Sequence, residues 1–316
     1  MTDYQSLKSG TDIRGDALGE KAVLTNEVAL CIGGAFITWL SEKTGKRPGA
    51  LTVAIGRDSR LTSPALLAAC AEGMARTGAQ VWDYGMCTTP AMYMAILTDG
   101  FRPDGSIMVT ASHHPWQLNG LKFFTAEGGL GFHELDEVLD LAQSLEKESP
   151  RATGEIVSTP FLPTYENHLK QLIINGVDPE VQKPLLGLHV VVDAGNGAGG
   201  FYEEMLREMG AWTEGSQFLE PDGHFPNHIP NPENEQAMAA MLAHINDSFE
   251  ICIPEDKVPA VAGLAIAMKR LVEKYGCNAG AIQCWNALQD ELGIMPCAAN
   301  AILNEMGIHL VCRLLL

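Results

Sequence analysis

Short apolar runs of strand length alternate with helical stretches from Asn26 to Glu146, and this rhythm leaves the chain few folds to choose from. Asn26 to Thr44 has helical periodicity and stops near Gly45; Leu51 to Ile55 reads as a buried strand; Ser63 to Gly78 is helical, with Pro64 in the first turn, where a missing N–H costs nothing. The alternation continues through a strand at Gln80 to Tyr84, a helix at Pro90 to Thr98, strands at Ser106 to Val109 and Leu121 to Thr125, and an amphipathic helix at His133 to Glu146. Segments in this order predict an α/β fold, a layered α/β/α domain built on a mixed sheet. Lys147 to Gly154 is polar and contains Pro150, so it reads as a linker that closes a first domain at residues 1–154.

A second domain, residues 155–243, opens with a helix at Phe161 to Asn175 and an apolar strand at Leu188 to Val192. Gly195, Gly197 and Gly200 then satisfy G-x-G-x-x-G before a helix that begins near Phe201, the spacing of a dinucleotide-binding turn. A glycine-rich turn also arises where backbone passes close to a helix. We read these glycines as structural, with dinucleotide binding as the alternative.

The residues that point to chemistry lie at Thr110-Ala111-Ser112-His113-His114-Pro115. They place a serine hydroxyl on a tight, proline-stopped turn directly after an apolar strand, which puts Ser112 at the carboxyl edge of the sheet, where ligands bind in open α/β folds. Asn119-Gly120 is a turn signal, and the strand after it returns Lys122 to the same edge. Serine and lysine can therefore face one substrate.

The whole string, together with Asn119-Gly120-Leu121-Lys122, resembles the phosphoserine loop of the α-D-phosphohexomutases, the phosphoglucomutase and phosphomannomutase family. Ser9-Gly10-Thr11-Asp12-Ile13-Arg14-Gly15, Gly56-Arg57-Asp58-Ser59-Arg60, Thr88-Thr89-Pro90, Asp193-Ala194-Gly195-Asn196-Gly197 and Phe225-Pro226-Asn227 through Pro232 agree with it in order and spacing. The resemblance implies transfer of a phosphoryl group between the 1- and 6-positions of a hexose phosphate, with Ser112 as the phosphorylated carrier. It assigns proton transfer to Lys122, stabilisation of the phosphoryl group to Arg14 and a supporting place to His113. Mg2+ and an activator of the glucose 1,6-bisphosphate type are the cofactors it implies. Catalysis of such a transfer depends on positioning and nearby positive charge. In a chain of net charge -18 that charge has to be local, and Arg14, Arg57, Arg60 and Lys122 are the candidates, Arg57 and Arg60 as substrate or phosphate binders.

The same charge disfavours nucleic acid or an anionic membrane as a partner. The polar first 16 residues carry no targeting pattern and no apolar run approaches spanning length, so a cytoplasmic protein with reduced cysteines is expected.

The resemblance weakens toward the C-terminus. No two aspartates stand two positions apart anywhere in the chain, so the family's Asp-x-Asp-x-Asp magnesium loop is missing, and a phosphate on Ser112 is the one metal contact expected. The Gly-Glu-x-Ser-Gly and Arg-x-Ser-x-Thr motifs of the family's later domains are missing too, so turnover is expected to be impaired, with a non-catalytic sugar-phosphate-binding fragment as the alternative.

From Cys252 onward there are only five basic and six acidic residues, and five of the eight cysteines. Val258 to Tyr275 reads as a helix, Ala281 to Trp285 as a strand and Pro296 to Met306 as another helix. Gln283-Cys284-Trp285, Gly293 to Cys297 and Leu303 to Ile308 resemble a stretch of the L-fucose and L-arabinose isomerase group, covering residues 245–313. Arg313 stands where that pattern has glutamate, so isomerase chemistry is not expected. We expect residues 244–316 to be a fragment joined to the mutase-like part near residue 244.

Overall fold

The computed structural model describes residues 3–145, 154–227, 258–275, 279–283, 303 and 309–313. The chain forms two compact units, one taking in Met1–Ile173 together with Ala194–Gly200 and Phe218–His228, the other the remaining residues.

The first unit is built on an eight-stranded mixed sheet. Its strands are β1 (Lys8–Ser9), β2 (Asp12–Asp16), β3 (Thr52–Arg57), β4 (Gln80–Met86), β5 (Gly105–Val109), β6 (Leu118–Thr125), β7 (Gly128–Gly129) and β8 (Ile156–Ser158). The order is β1-β2-β6-β5-β3-β4-β8, with β7 beside β6. β5, β3, β4 and β8 run parallel, whereas β6 is antiparallel to both β5 and β2. The carboxyl ends of β3 and β5 therefore open on the same edge, with Arg57 opposite Val109.

Four helices follow the expected rhythm: α1 (Asn26–Thr44), α2 (Ser63–Ala75), α3 (Thr89–Leu97) and α4 (Phe132–Leu145). Thr25 caps α1 by accepting from the Val28 N–H at 3.3 Å, and Thr88 caps α3 by accepting from Ala91 at 3.4 Å. Phe36 and Leu40 of α1, Leu66 and Met74 of α2, and Leu135 and Leu139 of α4 share one core with Val53, Ile55, Ile107, Val109, Leu121 and Phe123. The intervening strand residues Ala54, Ser106 and Met108 are buried as well, and Ser106 Oγ donates to the Met92 carbonyl of α3 at 2.9 Å. Both faces of the sheet are covered, as continuously apolar strands require.

Two local expectations are corrected. Asn119-Gly120, read as a turn, lies inside β6, because the Asn119 side chain is buried and donates to Thr62 Oγ1 and Ser63 Oγ, both at 2.9 Å. Leu188 to Val192, read as a strand, forms only isolated bridges from His189 to Trp212 and from Asp193 to Gln217.

Helix α5 (Leu162–Val177) follows β8, and α6 (Phe201–Glu208) begins where the glycine-rich turn ends. In the C-terminal region α7 spans Val258–Tyr275, as its periodicity predicts, and β9 (Ala279–Gln283) pairs in parallel with β10 (His309–Arg313). The expected junction near residue 244, the second half of the Phe225 to Pro232 motif and most of the Pro296 to Met306 helix lie outside the described residues.

Candidate active site

β5 ends at Val109, and the chain turns at once. Thr110 Oγ1 accepts from the Ser112 N–H at 3.0 Å, and the His114 N–H donates to the Ala111 carbonyl at 3.1 Å. Ser112 sits in the left-handed region at φ 58°, a conformation few non-glycine residues adopt, and it is exposed to solvent. The His113 and His114 rings stack beside it with centroids 4.9 Å apart. The serine is thus displayed at the carboxyl edge of the sheet, as its position after an apolar strand implies.

A cationic pair lies on the neighbouring strands. Asp12 Oδ2 accepts from Arg14 Nη2 at 2.8 Å and also from Lys122 Nζ, so one carboxylate of β2 joins the arginine of β2 to the lysine of β6. Arg14 Nη1 donates to the Thr110 carbonyl, which ties the pair to the start of the serine turn. Gly120 is required at this point, because a Cβ there would meet the Ile13 carbonyl, the Arg14 guanidinium and the Thr110 carbonyl. Arg57 ends β3 on the same edge, half-buried, with Nη1 donating to the Asp58 carbonyl at 3.0 Å.

Arg60 departs from its expected part as a phosphate binder. Its side chain is fully buried. Nη1 donates to the carbonyls of Pro115 and Leu118 at 2.7 and 3.0 Å, Nη2 to those of Ser112 and His114 at 2.8 Å each, and Nε to Asp58 Oδ2 at 3.1 Å. All five donors of the guanidinium are occupied. Burial pulls its pKa below the ordinary arginine value, and the charge of Asp58 opposes that pull. Asp58 in turn accepts through Oδ1 from the Arg60 N–H at 3.0 Å and from Ser63 Oγ at 2.6 Å.

The glycine-rich turn has a structural explanation. Asn196, at φ 60°, accepts on its carbonyl from Ser59 Oγ at 2.9 Å, donates from Nδ2 to the Glu220 carbonyl at 2.9 Å, and accepts from Asn227 Nδ2 at 2.7 Å. Gly200 allows the backbone to pass Leu219, whose carbonyl a Cβ would strike. The turn is filled by the segment 218–227 of its own chain, and the residues before it form no continuous strand, so the dinucleotide reading loses the context it needs.

Asp12, Asp58, Asn119 and Asn196 are the residues that sequence reasoning missed. Each stands inside or beside a string singled out above; Asp12, Asn119 and Asn196 bond to distant parts of the chain, whereas Asp58 bonds to Arg60 and Ser63 close by.

Two family models match the chain, Phosphoglucomutase/phosphomannomutase, alpha/beta/alpha domain I over residues 6–149 and domain II over residues 163–256. The chain belongs to the phosphoglucomutase/phosphomannomutase family. Among curated relatives of this family member, a phosphoglucomutase/phosphomannomutase of Thermococcus kodakarensis is 35% identical over 79% of the chain and 53% of the relative. A probable phosphoglucosamine mutase of Methanopyrus kandleri is 32% identical over 80% of the chain and 56% of the relative. The chain thus spans little more than half the length of these relatives. A crystal structure of a phosphoglucomutase/phosphomannomutase family protein from Burkholderia thailandensis superposes with a TM-score of 0.59 at 22% identity, covering 98% of this chain and 66% of that one, which supports the fold.

The residues present do not fit the family's magnesium site. The sequence holds no Asp-x-Asp pair, and among the described residues no three His, Cys, Asp or Glu side chains converge as metal ligands. No helix among the described residues is long and apolar enough to cross a membrane.

Proposed function

We propose that this chain carries the phosphoserine half of a phosphohexomutase, moving a phosphoryl group between Ser112 and the 1- or 6-oxygen of a hexose phosphate. The observation that carries the reading is the exposed, left-handed Ser112 on a turn whose first residue, Thr110, is bonded by Arg14 of the Arg14, Asp12 and Lys122 cluster.

In the loading step a hexose 1,6-bisphosphate is the donor. The bond from a sugar oxygen to phosphorus breaks, the bond from Ser112 Oγ to phosphorus forms, and the hydroxyl proton of Ser112 passes to the sugar oxygen that leaves. In the reverse step a free sugar hydroxyl attacks the phosphorus of the phosphoserine, the bond from Ser112 Oγ to phosphorus breaks, and the proton of the sugar hydroxyl passes to the serine oxygen that leaves. Lys122 is the group proposed to carry that proton, Arg14 supplies charge to the equatorial oxygens, and His113 flanks the serine. Arg57 is the remaining candidate for contact with the substrate phosphate.

Two relatives named above bear the names phosphoglucosamine mutase and phosphoglucomutase/phosphomannomutase, which supports a hexose or hexosamine phosphate as the substrate class. A second reading, sugar-phosphate binding without turnover, is favoured by one observation, the missing aspartate triplet. The isomerase resemblance of residues 244–316 rests on sequence strings alone, and we assign it no activity.

Phosphorus NMR of glucose, mannose or glucosamine 1-phosphate with a trace of the matching bisphosphate tests the proposal. Appearance of the 6-phosphate with the native chain and not with Ser112→Ala supports it. Binding of the sugar phosphate with no interconversion and no phosphoserine would favour the second reading.

A further inference from the structure

We infer that Arg60 is a positioning residue for Ser112, a buried template around which the serine turn is wrapped and which the segment 218–227 seals from solvent. The inference deepens the proposed function and rests on it for the identity of the reacting serine.

A buried guanidinium is tolerated only when its charge and all its donors are met. Here Asp58 meets the charge, and four backbone carbonyls between Ser112 and Leu118 meet the donors of the two terminal nitrogens. No side chain of the turn takes part, so the contact fixes the path of the backbone whatever the side chains are doing. That path includes the left-handed Ser112, a strained conformation that persists only when its surroundings over-determine it. Two of the four carbonyls belong to Ser112 itself and to His114.

The cover comes from the far end of the described mutase part. The Phe225 ring lies 5.1 Å from the Arg60 guanidinium carbon, within cation–π range. Gly223 presses its backbone onto the Ser59 to Leu61 stretch, so that a Cβ would stand 2.5 Å from the Leu61 nitrogen and 2.6 Å from the Ser59 carbonyl oxygen. Asn227 is bonded to Asn196, and Asn196 to Ser59, which closes the seal on its other side. With every N–H taken and a ring at hand, Arg60 offers a substrate phosphate nothing to bind. It acts through the backbone of the loop.

Arg60→Lys keeps the positive charge but gives a single point of three donors that cannot span four carbonyls. Phe225→Ala leaves every hydrogen bond of Arg60 in place and opens the seal. The full chain and both variants are incubated with glucose 1,6-bisphosphate at a series of concentrations. Phosphoryl uptake on Ser112 is followed by intact mass, and amide hydrogen exchange is read over residues 110–118.

Arg60→Lys is expected to lower the limiting rate of uptake roughly tenfold to a hundredfold, the effect of a small misplacement of a reacting group. It should leave the half-saturating donor concentration within about twofold, since no contact with the ligand is lost. Exchange at 110–118 should rise about tenfold or more while β3 stays protected. Phe225→Ala should shift exchange in the same direction to a lesser degree.

A higher half-saturating concentration with an unchanged limiting rate would make Arg60 a phosphate ligand and overturn the inference. Native exchange at 110–118 in either folded variant would overturn it as well. Should Arg60→Lys fail to fold, Phe225→Ala decides the matter. If the native chain takes up no phosphate, the proposed function fails, and exchange in Phe225→Ala still tests the positioning role separately.

Discussion

Asp12 and Lys122 share an ion pair across the β2 and β6 strands, and the carboxylate oxygen that accepts from the lysine also accepts from Arg14. The three side chains are largely buried, at 9% exposure for Arg14, 19% for Asp12 and 22% for Lys122, so the pairing is shielded from much of the solvent screening that weakens surface ion pairs. One carboxylate therefore fixes the spacing of the two cations proposed to serve the phosphoryl group.

Asp12→Asn removes that anchor and leaves two cations side by side. We expect a loss of about 1–3 kcal/mol of folding stability, the usual cost of losing hydrogen bonds to charged partners. Phosphoryl uptake by Ser112 should fall by about tenfold or more, as expected when reacting groups lose their alignment. Urea titration and intact-mass kinetics on the same variant check both, and an unchanged uptake rate would remove Asp12 from the site.

Gly120→Ala puts a methyl group between the Ile13 carbonyl, the Arg14 guanidinium and the Thr110 carbonyl, where there is no room for it. The strain should cost about 1–3 kcal/mol, in the range of overpacked cores. Because Arg14 is one of the crowded groups, uptake at Ser112 should suffer more than the midpoint of unfolding. Equal loss from a distant, equally destabilising substitution would argue against a specific effect on Arg14.

Burial pushes the thiols of Cys70 and Cys87 from an ordinary value of 9.0 up to about 12, because the thiolate loses its hydration in the core. Burial also pushes the Tyr84 hydroxyl upward, with Cys87 adding to the shift. These groups ionise more readily in the unfolded chain than in the folded one, so their contribution to stability is whole below pH 9 and is lost as pH climbs from 9 toward 12. Stability measured by urea unfolding should decline over that window. Cys70 and Cys87 should also resist iodoacetamide at pH 8 in the native state and react once urea is added; alkylation of either in the folded protein would contradict the burial described here.

Much of this architecture is legible in the sequence, because helix and strand periods declare themselves locally. The α1 segment reads correctly from Asn26 to Thr44, and α7 reads correctly from Val258 to Tyr275. Ser112 declares itself the same way, from an apolar strand ending in a polar, proline-stopped turn. What escaped was set by distant partners. Asn119-Gly120 carries a turn signature, yet the buried hydrogen bonds from Asn119 to Thr62 and Ser63 hold it inside β6. Leu188 to Val192 is as apolar as the true strands, but only bridges to Trp212 and Gln217 pair with that region. Arg60 looked like a phosphate ligand because it sits on a loop beside the serine; only its geometry shows that its donors face the loop's backbone rather than a ligand.

The proposed function stands or falls on whether Ser112 accepts a phosphoryl group. Intact mass followed by peptide mapping, after incubation of the full chain with glucose 1,6-bisphosphate, addresses it most directly. One phosphoryl group is expected, located on Ser112, lost in Ser112→Ala and discharged when a hexose monophosphate is added. An unmodified Ser112 in a folded chain, or a phosphate found on another residue, would contradict it.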